Sequence, residues 1–157
     1  MKKTTKIYLF SIVFTLLVGG ISGLLIRDGI NAYDANIIKP PLTPPNLVFP
    51  IVWSILYLLM GIGIARILTI DGPQRLKTRT LLVYIAQLFF NFCWSLIFFN
   101  AQAFLFAFIW LVILWILILI MILLFAKQSK WAAWLQLPYL IWVSFAGYLN
   151  LGVWILN

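Results

Sequence analysis

The sequence predicts an all-α integral membrane protein, a bundle of five transmembrane helices, and three observations predict it. Of 157 residues, 65% are hydrophobic and only 9% charged, so the chain carries more apolar surface than one water-soluble core could hide. Five apolar runs each approach the length of about 20 residues that a spanning helix needs. The eleven Lys and Arg stand at the ends of those runs, where they mark the membrane boundary, and form no basic stripe of the kind a nucleic-acid groove uses. The formal charge of +8 therefore implies a lipid bilayer as partner and no nucleic acid.

The first run, 7–26, follows Lys2, Lys3 and Lys6 as a signal sequence would. At about 20 residues, with no A-x-A site after it, it reads as a retained helix. Its Gly19, Gly20 and Gly23 contain a G-x-x-x-G spacing, a packing signal within the bundle first and a dimer signal second. Residues 27–46 read as a polar lid loop, stiffened by Pro40, Pro41, Pro44 and Pro45.

The second helix is expected over 47–68, with Asn46 as its cap and Pro50 in its first turn. Asp71-Gly72-Pro73 marks a turn inside a basic loop. The third helix is expected over 81–99; the short Asn100-Ala101-Gln102 link after it forces an antiparallel hairpin with the fourth, 104–125. That fourth helix is apolar all round apart from the Trp110 and Trp115 indoles, so it reads as a wall of the bundle. The fifth, 131–154, contains Pro138, which deletes a helical hydrogen bond and should bend it.

Nine basic residues fall on one side of this arrangement and two, Arg27 and Lys39, on the other. The bias predicts a bacterial cell membrane protein with its N-terminus cytoplasmic and the lid loop and C-terminus outside.

With no His, one Cys and three acidic residues, all Asp, the chain lacks the groups for an ordinary metal site or for paired-carboxylate catalysis, and implies no obligatory cofactor. Cys93, inside an apolar run, reads as a small buried residue. Chemistry would have to come from Trp, Tyr or a bound ligand.

At about 100° per residue, three helices each present one stripe within about 60° of arc. These are Trp53, Tyr57 and Met60 in the second helix, Gln87, Asn91 and Trp94 in the third, and Trp142, Ala146 and Leu149 in the fifth. Gln87 and Asn91 should point inward, because an unpartnered amide facing lipid costs a few kcal/mol. Interhelical bonding and ligand binding explain that inward polarity equally well. Trp131, Trp134 and Trp154 fit an interfacial belt. Trp53 and Trp142 follow prolines and share a face with Tyr57 or Ala146, which suggests room for a flat aromatic guest.

Four ordered blocks carry a family resemblance: K-P-x-x-x-P-P (Lys39 to Pro45), F-P-x-V-W-x-x-L-Y-x-x-M-G (Phe49 to Gly61), Q-L-x-x-N-x-x-W (Gln87 to Trp94) and L-P-Y-L-x-W-x-x-F-A-x-Y-L-N (Leu137 to Asn150). Together they resemble the TspO/MBR family of tryptophan-rich sensory and translocator proteins. The resemblance implies a five-helix bundle, usually a homodimer, with a pocket beneath the first loop for porphyrin or haem-type tetrapyrroles and other flat aromatic molecules. It implies that Trp53 and Trp142 are the tryptophans concerned in light- and oxygen-dependent protoporphyrin breakdown, and that Tyr57, Asn91, Ala146 and Leu149 line the pocket. Three departures stand out. Leu42 replaces an aromatic of the signature, Tyr33 lies six residues before Lys39 where the family has five, and no Lys or Arg follows Lys130 to complete a C-terminal cholesterol-recognition pattern.

Overall fold

The computed structural model describes residues 2–157 as an all-helical bundle in which five helices are long and apolar enough to cross a membrane. The spans run through α1 (Lys3–Leu25), α3 (Val48–Thr69), α4 (Gln74–Ser95) with its extension to Asn100, α5 (Phe104–Ala126), and the pair α6 (Lys130–Trp134) and α7 (Leu137–Leu156). At 1.5 Å per residue, helices of 22 or 23 residues cover the roughly 30 Å of a hydrocarbon core. Side-chain bonds at both ends fix the alternation of direction. Gln128 Nε2 donates to Thr80 Oγ1 over 2.7 Å at one end, and Asn100 Nδ2 donates to the Leu25 carbonyl over 3.0 Å at the other.

Differences from the sequence reading have local causes. Residues 27–46 are not all loop: α2 (Arg27–Asn36) occupies the first half. It presents Ile26, Ile30 and Tyr33 on one side, a spacing that suits a helix lying on the bundle end. α4 begins seven residues before the expected start, because Pro73 supplies its N-cap position and the polar stretch from Gln74 is already helical. Asn46 does not cap α3; the N-cap position is Leu47, and the Asn46 amide instead donates to Asp34 Oδ2 over 2.6 Å.

Pro138 does more than bend its helix. The chain breaks between α6 and α7, and the fully buried Gln136 at the break reaches across to donate to the Leu59 carbonyl at 3.1 Å. Gly63 leaves the space for that amide, since a Cβ there would collide with Gln136 Nε2. Cys93, expected to be buried, is only half-buried.

α1 lies along α3 through glycine contacts. A Cβ on Gly61 would come within 2.7 Å of the Ile12 Cα, and one on Gly19 would enter the Tyr57 ring. The two indoles of α5 act as ties and not as an interfacial belt: Trp110 donates to the Phe90 carbonyl and Trp115 to Ser144 Oγ, each at 2.8 Å. Trp131, Trp134 and Trp154 are exposed near helix ends, as an interfacial belt requires.

The end of α4 widens into a π-turn, Leu96–Asn100, closed by a bond from the Ala101 N–H to the Leu96 carbonyl five residues back. α2 seats on this turn. Gly29 makes that possible, because any Cβ there would strike the Phe99 backbone and the Asn100 side chain.

Candidate functional site

A cavity of about 570 Å³ opens between α1, α3, α4 and α7, roofed by α2 and the proline strap that follows it. Of the residues predicted for the site, Trp53, Tyr57, Asn91, Trp94, Trp142, Ala146 and Leu149 all border it. Gln87 does not. It is fully buried one turn deeper, behind Tyr139. None of the bordering residues comes from α5, in keeping with its expected role as a wall.

A chain of hydrogen bonds backs this wall. The Tyr57 hydroxyl donates to Asn91 Oδ1 at 2.8 Å, Asn91 Nδ2 donates to the Tyr139 hydroxyl at 2.7 Å, and that hydroxyl donates to Gln87 Oε1 at 2.8 Å. Gln87 Nε2 ends the series on Met60 Sδ at 3.8 Å. The inward amides therefore do serve interhelical bonding, joining α3, α4 and α7, while Asn91 also borders the cavity. Trp94 Nε1 donates to Asn150 Oδ1 at 3.1 Å, and Asn150 Nδ2 donates to the Phe104 carbonyl at 2.8 Å. Because each member has a partner, the network costs little despite its burial and holds the aromatic rings in fixed places.

The ring arrangement follows. Trp53 lies 5.7 Å from Tyr57 and 6.2 Å, edge on, from Tyr139. Trp142 packs edge to face with Phe49 at 5.9 Å, and its buried indole N–H has no partner. Tyr33 sits between Phe98 and Phe99, 5.4 and 5.5 Å from their centroids, so its shifted place in the sequence still puts it over the cavity. Burial, with a smaller contribution from neighbouring Asp34, pushes the Tyr33 phenol up to about 12.

Sequence reasoning missed the floor that α1 supplies, Gly19, Gly20, Ser22 and Gly23, together with Phe98 and Phe99 of the π-turn. A Cβ on Gly20 or Gly23 would meet nothing within 4 Å, so these two glycines leave room as well as permitting packing. Tyr139, which does not border the cavity but backs Trp53 and links Asn91 to Gln87, was also missed. The 100° rule would have found it, three and seven residues before Trp142 and Ala146 on the same face of α7.

The roof is tied down at several points. The Ile38 N–H donates to Asn157 Oδ1 at 2.9 Å while Asn157 Nδ2 donates back to the Ile38 carbonyl at 3.0 Å. Tyr148 donates to the Pro41 carbonyl at 2.9 Å, and Gly152 receives the ring of the buried Pro40. Leu42, where the family signature has an aromatic, points out to solvent at 80% exposed and adopts a positive φ of 65°. Lys39, Asp34 and Asn46 meet at the cavity mouth, with Lys39 Nζ 2.6 Å from Asp34 Oδ1.

The model of the TspO/MBR family matches residues 11–155. The chain belongs to the TspO/MBR family. Among its relatives, the tryptophan-rich protein TspO of Chlorobaculum tepidum is 38% identical over 125 residues, covering 80% of this chain and 79% of that one. Protein CrtK of Rhodobacter capsulatus is 33% identical over 150 residues, 95% of this chain and 92% of its own length. The translocator protein of Bos taurus is 32% identical over 145 residues, 90% and 86% of the two chains. This TspO/MBR member is thus a membrane protein whose aromatic cavity draws residues from each of the four blocks that carried the resemblance, with α1, α2 and the π-turn supplying the rest.

Proposed function

We propose that the cavity binds a porphyrin or haem-type tetrapyrrole, and that the protein uses this binding in porphyrin sensing, transport or light-dependent oxidative breakdown. The observation that supports the reading is the meeting of Trp53 and Trp142 on one cavity of about 570 Å³, within the roughly 300–1,000 Å³ of small-molecule pockets. A flat aromatic body would find ring faces on two sides, with Ala146 leaving space beside the indoles. An indole next to a photoexcited porphyrin can give up an electron or trap reactive oxygen, so the candidate catalytic residues are Trp53 and Trp142.

Titrating protoporphyrin IX into the purified protein should quench tryptophan emission. Trp53→Phe with Trp142→Phe should abolish light-driven bleaching while circular dichroism keeps its helical signature; bleaching that continues unchanged removes the catalytic role. The name of the bovine relative, translocator protein, supports a second reading, movement of a small amphipath across the membrane. Proteoliposomes that bind but move no substrate would count against it. Failure of any porphyrin to bind at micromolar concentration would leave a structural or regulatory role.

The same reading includes a homodimer, with the N-terminus cytoplasmic and the strap outside, as the nine-to-two split of basic residues supports. Chemical cross-linking in vesicles tests the first, and reporter fusions at Lys2 and in the strap test the second.

A further inference from the structure

We propose that the cavity mouth holds a carboxylate subsite built on Lys39, so that the ligand is a flat apolar body bearing an acidic arm. The inference rests on the cavity being a ligand site for such bodies, and it narrows which of them fit.

Hydrogen-bonding capacity is divided unevenly over the cavity. Deep in the wall most polar atoms pair with one another, Tyr57 with Asn91, Trp94 with Asn150, and Ser22 Oγ with Ser95 Oγ at 2.9 Å, while the buried Trp142 indole N–H, a neutral donor, is left without a partner. At the mouth, each Asp34 oxygen already accepts a bond of 2.6 Å, one from Lys39 and one from Asn46, and the Thr43 hydroxyl is spent on the Pro40 carbonyl. The mouth also keeps a charged donor with bonds to spare. The Lys39 ammonium has three N–H groups and bonds to one protein acceptor, Asp34.

Its position is also fixed. Lys39 lies between Ile38, pinned by the Asn157 amide, and Pro40, seated on Gly152, and its ammonium stands 5.5 Å from the Tyr33 ring centroid. The Lys39 side chain is 30% exposed, so an anion can reach it while part of the solvent screening is removed. No other Lys or Arg borders the cavity. One ammonium over an apolar, aromatic chamber selects a ligand with an anionic end and a ring system behind it. Asp34 is the internal competitor: its carboxylate already neutralises the ammonium, so an acidic arm that takes the remaining N–H groups must share the charge with it.

The test compares protoporphyrin IX, which carries two carboxylic acids, with its dimethyl ester, using the full-length protein in detergent and tryptophan quenching as the readout. Lys39→Gln should weaken the diacid by about tenfold and leave the ester unchanged, the loss expected for one charge-assisted contact. Asp34→Asn, which keeps an acceptor for Asn46 but frees the ammonium, should tighten the diacid several-fold and again spare the ester. Equal effects on acid and ester, or none on either, would overturn the subsite while leaving the tetrapyrrole reading intact. If neither compound binds the wild-type protein, the tetrapyrrole reading fails and the subsite falls with it.

Discussion

The Tyr139 hydroxyl donates to Gln87 Oε1 across 2.8 Å, joining α7 to α4 at a depth where both residues are fully or almost fully buried. The pair fixes the ring against which Trp53 packs edge on. Tyr139→Phe would orphan Gln87 Oε1 and Asn91 Nδ2, at a cost of about 1–3 kcal/mol if each stays dry. We expect a lower thermal midpoint in detergent. Adding Gln87→Leu removes one of the orphaned atoms, so the double variant should lose less than the sum of the two single changes.

Gly19 and Gly20 are neighbours with opposite tolerances. Gly19→Ala drives a methyl into the Tyr57 ring, which must shift and strain its bond to Asn91, whereas Gly20→Ala projects into open space. Ligand affinity, measured by quenching, should fall with the first and hold within about twofold with the second. Equal losses would mean that α1 does not set the position of Tyr57.

Asn157→Ala removes both side-chain bonds to Ile38. Hydrogen exchange at the Ile38 amide should quicken, and a bound ligand should dissociate faster, because the strap is then held mainly by Tyr148 and the Pro40 contact. Unchanged exchange at Ile38 would argue that those two contacts alone fix the strap.

The Tyr33 phenol supplies a pH dependence whose sign can be worked out. Its value in the folded protein, about 12, lies above the ordinary 10.0, so the fold favours the neutral phenol. The stability this contributes is fully present below about pH 10 and is lost as pH rises through about 12. Limited proteolysis near Arg27 and Lys39 should therefore increase across that window, and less so in Tyr33→Phe.

Leu42 carries a backbone test. Pro41 and Leu42 occupy the middle of a turn closed by the Thr43 N–H on the Pro40 carbonyl, and a φ of 65° at Leu42 suits glycine better than a branched side chain. Leu42→Gly should relieve about 1 kcal/mol of strain, part of it offset by the freer unfolded chain. A thermal midpoint that rises or stays level agrees with this; a drop of several degrees would show that the exposed Leu42 side chain does more than its contacts reveal.

The spans were legible because hydropathy alone decides where lipid is the solvent, and each stripe was legible because helical angle follows from spacing. What escaped was set by other forces. The polar start of α4 lies beyond the reach of a hydropathy argument, since Gln74 to Arg79 stay helical outside the apolar core. α2 escaped because its polar composition and Gly29 read as loop, although Ile26, Ile30 and Tyr33 repeat at four and three residues. Gln87 carried the right direction but the wrong depth: angle places a residue on a face, and only the packing of Tyr139 in front of it decides that it stops short of the cavity. The α1 glycines were read as contacts, and Gly19 is one, but absence of a side chain also makes volume, which spacing cannot distinguish.

The wide turn at Leu96–Asn100 has a consequence for comparing relatives. A π-turn holds one residue more than the α-helical turn it replaces, and here that extra residue brings Phe98 and Phe99 together under Tyr33. A family member shorter by one residue between Ser95 and Phe104 would finish this helix with ordinary geometry and present a different pair of side chains to the roof. Length at this single point, and not only residue identity, is then a variable by which members of the family can differ in what they admit.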